Sequence, residues 1–212
     1  MKNIAISLNV IRRLPRYLRR LDELCENGIY RISSAEFGHQ LGLTPSQIRQ
    51  DLCCFGEFGQ QGYGYNVKHL RGEIASILGM NRGFNAILVG CGNLGRALAC
   101  NFDFTSYGIS LNSIFDINSE IVGSTVNDID ICDIDYLQQY LECNPTDIAA
   151  LCVPKSAANS TAEMLVQNGI RAIWNFTNQE LTVPHGIIVE NVHFSDSLLT
   201  LSYQITNTIK DE

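Results

Sequence analysis

The stretch Ala86-Ile87-Leu88-Val89-Gly90-Cys91-Gly92-Asn93-Leu94-Gly95 decides the architecture of this chain. Four apolar residues in a row read as a strand buried on both faces, and the adjoining GxGxxG reads as a tight turn into a helix. Gly90 permits the turn, Gly92 lets a ligand approach the backbone, and Gly95 lets the helix lie close to the sheet. The free N–H groups at that helix start, and its dipole, favour a diphosphate. A glycine-rich turn without a ligand would show the same letters, so the next strand has to discriminate. Asp116 stands 21 residues after Gly95, at the end of that predicted strand, Ile109–Phe115. An acid there is placed for an adenine ribose 2′-OH and repels a 2′-phosphate, which favours NAD(H) over NADP(H). The alternative is an acid that caps a strand for structural reasons.

Downstream of the loop, strand and helix signals alternate. Helices are predicted over Leu94–Phe104, near residues 134–143 and over Ser156–Gln167, the last closed by Asn168-Gly169. Strands are predicted at Ile148–Val153, Ala172–Asn175 and Ile187–Val192, and a final helix from Phe194 to about Ile209. The order implies an α/β fold, a Rossmann-type parallel sheet with helices on both faces. Gly90, Cys91, Gly92, Asn93, Leu94, Gly95 and Asp116, with Val153 and Pro154, are the candidate cofactor residues of that sheet.

Upstream, the charge changes sign. Residues 1–80 hold ten Lys/Arg against seven Asp/Glu, net +3, while the remaining 132 residues are net −10. Only the first part suits a polyanion. Ile11, Leu14, Leu18, Leu21 and Leu24 recur at helical spacing, and the apolar run from Ile4 reads as the start of that helix. Ser33-Ser34 cap a second short helix ending near Leu41-Gly42. Thr44-Pro45-Ser46-Gln47 opens a third, with Gln47 expected to reach back as a capping box. Two short helices on a glycine turn form a helix-turn-helix, whose second helix enters the major groove. Ser46, Gln47, Arg49 and Gln50 carry the donors and acceptors for base edges and phosphates. Phe55 to Tyr65 holds four glycines among aromatics. This predicts a β-hairpin, a wing packed back on the bundle, then a helix that Asn66 caps and that runs to about Leu78. Residues 79–83 form the linker. The domains expected are a winged helix-turn-helix over 1–80, a dinucleotide-binding domain over 81–193 and a C-terminal helix over 194–212.

Composition excludes other classes. The chain of 212 residues is 45% hydrophobic and 17% charged, which is globular. No apolar run approaches the ~20 residues of a membrane helix. Eight scattered cysteines without a CxxC pair suit neither a disulfide framework nor zinc, and point to reduced thiols in the cytoplasm. Cys91 stands near a helix start, which can lower a thiol pKa, though a small residue filling a tight loop is the plainer reading. Catalysis has little to work with after the linker. The cations are Arg82, Arg96, Lys155, Arg171 and Lys210, and of the histidines His185 reads as a turn residue while His193 could face a pocket. No nucleophile-base or metal-ligand spacing is visible, so a sensor is expected rather than an enzyme. The rival classes are a small nucleotide- or CoA-binding enzyme subunit and a DNA-binding protein whose second domain only dimerises.

Arg13-Leu14-Pro15-Arg16-Tyr17-Leu18-Arg19, Ile32-Ser33-Ser34, Gln47-Ile48-Arg49-Gln50-Asp51-Leu52, the Phe55–Tyr65 glycine run, Val89 to Leu98 and Asn191-Val192 together resemble the bacterial Rex repressors. The resemblance runs from about residue 10 to 205. It implies a redox-sensing transcriptional repressor that binds operator DNA with NAD⁺ and releases it with NADH. It further implies a homodimer that exchanges its C-terminal helix, Phe194 projecting towards the partner's nicotinamide site. By the same resemblance Arg13, Arg16, Ser46, Gln47, Arg49, Gln50, Gln60, Gln61 and Tyr63 would face DNA. Arg19, Asn101 and His193 would couple cofactor to DNA. This chain departs from the family pattern at Gln50 (commonly lysine), Gln60-Gln61 (commonly Lys-Arg), Asn101 (often tyrosine) and His193 (often aspartate). The departures predict weaker or altered DNA binding, and a divergent paralogue whose NADH response is weakened, lost or re-routed.

Overall fold

The computed structural model describes residues 6–60 and 62–208, and the chain divides into two compact units, Met1–Arg82 and Gly83–Glu212. In the first unit, α1 (Leu8–Glu26) turns Leu14, Tyr17, Leu18, Leu21 and Leu24 inward at three- and four-residue steps. The helix starts later than its apolar run suggested. Ser7 is its N-cap, accepting from the Asn9 N–H, while Ile4 and Ala5 lie outside the described residues. α2 (Ser34–Leu41) is capped by Ser33 and α3 (Pro45–Cys53) by Thr44, whose Oγ1 accepts from the Gln47 N–H at 3.2 Å. Their junction is tight: a Cβ at Gly38 would stand 2.6 Å from the Leu43 carbonyl oxygen.

Half of the expected capping box does not form. The Gln47 side chain turns forward and donates to Asp51 at 2.7 Å, because that buried carboxylate needs donors more than the solvated Thr44 N–H needs an acceptor. Beyond α3 comes a three-stranded antiparallel sheet ordered β1-β3-β2, with β1 (Arg31–Ile32), β2 (Gly59–Gln60) and β3 (Gly64–Asn66). The wing hairpin is there, and β1 joins it although two residues carry no readable alternation. Tyr65, Phe55 and Phe58 pack on the bundle, but Tyr63, in the turn, is 69% exposed. α4 (Val67–Ile77), capped by Asn66, closes the core against α1.

The second unit contains β4 (Phe84–Val89), α5 (Asn93–Asn101), β5 (Ile109–Asp116), β6 (Thr125–Val126), β7 (Ile129–Asp133), α6 (Leu137–Cys143), β8 (Ile148–Leu151), α7 (Ala158–Gln167), β9 (Ala172–Asn175), β10 (Ile188–Asn191) and α8 (Phe194–Thr208). Its sheet runs β10-β9-β8-β4-β5-β7-β6, and every pairing is parallel except β6 with β7. Ile87, Val89, Phe115, Ala149 and Leu151 feed one core, while Leu88, Ile114, Ile131 and Ala150 feed another. That alternation is a parallel sheet covered on both faces.

The elements differ from expectation in several places, and α7 for one starts at Ala158, after a tight turn over residues 155–157, rather than at Ser156. β6 and β7 are additional, joined by Asn127-Asp128 at φ +52° and +63°, the two-residue hairpin turn that Asn and Asp tolerate. α5 stops at Asn101, because Phe102 leaves the helix to pack with Phe104, Tyr107 and Trp174. β8 stops at Leu151, where the chain turns beside Gly90. Residues 134–136 form a single tight turn before α6. Ile209, the expected end of the last helix, lies outside the described residues. Among the described residues no helix is long and apolar enough to cross a membrane.

Candidate functional site

β4 delivers its chain end, at the carboxyl edge of the parallel strands, into Gly90. Three glycines there do three different things. Gly90 takes φ +97°, and a Cβ on it would meet the Cys152 backbone at 2.7 Å. A Cβ on Gly95 would lie 1.9 Å from the Gly90 carbonyl oxygen, so this glycine sets the approach of α5 to the loop. Gly92 faces open space, with nothing within 4 Å of a Cβ built on it. Its lack of a side chain therefore serves something outside the protein's own packing. Gly92 is also the N-cap of α5 and supplies no side-chain cap, so N–H groups of the first turn from Asn93 and Leu94 stay open to an anion. These residues fit a dinucleotide diphosphate.

Asp116 ends β5 next to this loop. One carboxylate oxygen accepts from the Cys91 N–H at 2.5 Å and the other from the Asn118 N–H at 2.8 Å. The acid is thereby fixed in orientation while keeping lone pairs for a ribose hydroxyl. Cys91 itself is buried, and burial pushes its thiol up from the ordinary value, opposite to the activation that a helix start could give. Burial likewise pushes Cys152 up to about 12. Val153 (half-buried) and Pro154 (exposed) come after β8 at the same edge of the sheet, where the Cys152 N–H donates to the Val89 carbonyl. Phe194 begins α8 and is 66% exposed.

In the first unit the centre is Asp51, fully buried on α3. It accepts from Arg13 twice (Nε 2.6 Å, Nη2 2.7 Å), from the Tyr17 hydroxyl (2.6 Å) and from Gln47 (2.7 Å). Burial alone would raise this carboxyl, but the bonds from Arg13, Tyr17 and Gln47 together hold it below the ordinary carboxylate value. Tyr17 is pushed up by burial and by its bond to Asp51. Arg13 and Gln47 thus spend their side chains inside the unit, tying α1 to α3. Arg16 reaches the Leu41 carbonyl, and Arg49 bridges Ser34 and Ser46 on the outer side of α3, beside the exposed Gln50. Gln60 is exposed on the wing, and Gln61 lies outside the described residues.

Of the three coupling residues, Arg19 is exposed on α1 of the first unit, and the two in the second unit stand at opposite edges of its sheet. Asn101 ends α5 and donates back to the Ala97 carbonyl at 3.0 Å, at the amino edge. His193 comes after β10 at the carboxyl edge, Nε2 3.4 Å from Glu180, while its buried Nδ1 has no partner among the described residues. Glu180 in turn accepts from Asn191, whose oxygen accepts from Asn175. The Asp51 cluster and the Glu180 network escaped sequence reading. Both join residues more than ten positions apart, and only the acid inside an otherwise apolar-faced α3 gave a hint of the first.

A winged helix joined in one chain to an α/β sheet with an open phosphate loop defines a DNA-binding regulator with a nucleotide pocket. Family models agree: "Putative DNA-binding protein N-terminus" matches residues 5–53 and "CoA binding domain" residues 81–179. The chain is 52% identical to the redox-sensing transcriptional repressor Rex of Clostridium botulinum strain Hall over 96% of this chain and 97% of the relative, and shows the same identity and coverage to that of strain Alaska E43. Among solved structures it is similar to RSP, a Rex-family repressor, in complex with NAD⁺ and operator DNA (46% identity, TM-score 0.90, 99% of each chain). RSP in complex with NADH matches equally well (45%, 0.90, 97% of each). The chain belongs to the Rex family of redox-sensing transcriptional repressors. Its relatives are repressors, not enzymes.

Proposed function

We propose that this chain is a cytoplasmic homodimeric repressor that binds operator DNA in its NAD⁺ state and releases it with NADH. The observation that carries the reading is the full-length likeness to RSP, known both with NAD⁺ on operator DNA and with NADH. On this reading the open backbone at Gly92 and the α5 start hold the diphosphate, with Cys91, Asn93 and Leu94 around it. Gly90 and Gly95 set the loop, and Asp116 takes the adenine ribose. Val153 and Pro154 line the adjoining edge. Ser46, Arg49 and Gln50 on α3, Arg16 on α1, and Gln60 and Tyr63 on the wing face the DNA. Arg13 and Gln47 act through Asp51 by fixing α3 on α1. The units are the DNA-binding winged helix, the dinucleotide domain and, from Phe194, a dimerisation helix. Leu198, Leu199, Leu201, Tyr203 and Ile205 of α8 all stand more than half exposed, apolar area that a second copy would cover.

His193 supports a second reading, a paralogue with a weakened NADH response. It meets a carboxylate of its own chain, Glu180, where the family's aspartate would meet an arginine. It also lies at the sheet edge opposite Asn101. Anisotropy of a labelled duplex of the kind bound by RSP, at fixed salt, with NADH titrated against NAD⁺, separates the two. Release by NADH is expected, and reappearance of a sharper response in His193→Asp would favour the weakened form. Binding that ignores both cofactors would overturn the proposal.

A further inference from the structure

The wing poses a problem for any DNA-contacting role. Between Arg49 and Lys68 the sequence holds no lysine or arginine, and Glu57 adds a negative charge. A hairpin meant to lie along a polyanion would have no cation of its own. The structure supplies one from a distant part of the chain. β1 pairs antiparallel with β3, Arg31 opposite Asn66 and Ile32 opposite Tyr65. Ile32 and Tyr65 face the core, so Arg31 faces solvent on the other side. Its guanidinium carbon stands 5.6 Å from the centroid of the Tyr63 ring, within cation–π range.

The placement is held by backbone. Gly64 takes φ +70°, and a Cβ there would lie 2.4 Å from the Ile32 carbonyl oxygen, so the wing closes directly on β1. The Tyr63 N–H donates to the Gln60 carbonyl at 3.0 Å, which fixes the turn, and the Val67 N–H donates to the Tyr30 carbonyl at the strand end. Tyr63 stays largely exposed, so its ring serves as a platform rather than as core. A guanidinium resting on such a ring loses less side-chain freedom on binding than a free one, and its remaining N–H edge stays available for phosphate.

We infer that Arg31, held over Tyr63, is the wing's DNA-phosphate contact, standing in for the cations that the wing sequence lacks. This rests on the DNA-binding reading above. It predicts one ionic contact made through β1, which the recognition helix does not supply.

The test uses the full chain with NAD⁺ and two duplexes, a 30-base-pair random-sequence DNA and an operator duplex of the kind bound by RSP, across a salt series. Arg31→Gln should lower affinity roughly fivefold near 0.1 M salt on both duplexes. It should also reduce the slope of log K against log salt by about 0.9, the share of one phosphate. Arg31→Lys should restore the slope. Tyr63→Leu should weaken binding and leave the slope in place, since the charge remains. Far-UV dichroism of each variant checks the fold, to which an exposed Arg31 contributes little. An Arg31→Gln slope equal to that of the unaltered chain would overturn the inference and leave DNA binding standing. Failure of the unaltered chain to bind either duplex would remove the DNA reading, and this contact with it.

Discussion

Asp51→Asn tests the centre of the first unit. The carboxylate is fully buried and accepts four hydrogen bonds, two from Arg13, one from Tyr17 and one from Gln47. Breaking a buried ion pair by removing one partner costs about 3–5 kcal/mol. Here the Arg13 side chain keeps 23% of its surface exposed, so its charge is not stranded, which moves the pair to the low end of that range. The Asn oxygen still accepts two bonds, but its NH2 replaces an oxygen that served two donors, and a donor as buried as Tyr17 loses about 1 kcal/mol or more when left unpaired. The expected loss is about 3–4 kcal/mol. At a urea dependence of ~2 kcal/mol/M that lowers the midpoint by about 2 M. Amide exchange in α1 and α3 should accelerate by a few hundred-fold, roughly 140- to 700-fold, since 1.4 kcal/mol is tenfold. The pH dependence has a definite sign. Asp51 sits below its unfolded value in the folded state, so its contribution is complete above about pH 4 and is lost as pH falls through the lowered folded value. Asp51→Asn should flatten that acid limb. A double cycle with Arg13→Gln isolates the pair, and a coupling below ~1 kcal/mol would refute the reasoning.

Two further outcomes rest on geometry. Gly92→Ala should leave the thermal midpoint within about 2 °C, since its Cβ meets nothing, and should weaken NADH binding at least tenfold by calorimetry. Gly95→Ala should do the reverse, destabilising the second unit by several kcal/mol, because its Cβ would meet the Gly90 carbonyl oxygen at 1.9 Å; equal stabilities of the two variants would contradict the assignment. Leu199→Lys, on the exposed apolar α8, should raise a dimer dissociation constant about 100-fold by burying an unpaired charge worth ~3 kcal/mol, and sedimentation showing an unchanged assembly would count against α8 as the dimer contact.

How much of the fold and site was legible depended on distance along the chain. The Thr44 and Ser33 caps, the GxGxxG and Asp116 could be read because each signal is local: a cap bonds three residues ahead, and a phosphate loop is one turn. β6 and β7 had a local signal too, in Asn127-Asp128, but β6 is only Thr125-Val126 and β7 five residues, so the flanking runs were too short to read as a hairpin. The Asp51 cluster reaches 38 residues back to Arg13, and its one local trace is the acid itself on the apolar side of α3. Helical period could still have sorted α3. At 3.6 residues per turn, Gln47, Ile48, Asp51 and Leu52 share one face, and Ser46, Arg49, Gln50 and Cys53 the other. The inward face holds Ile48 and Leu52 in the core, so Gln47 and Asp51 must find partners there or strand polar groups in it. Arg13, arriving from α1, answers that need. A residue in a recognition-helix motif is therefore not a base reader by membership alone. The motif divides by face, and the acid on its buried face sets the angle at which the polar face, with Ser46, Arg49 and Gln50, is presented.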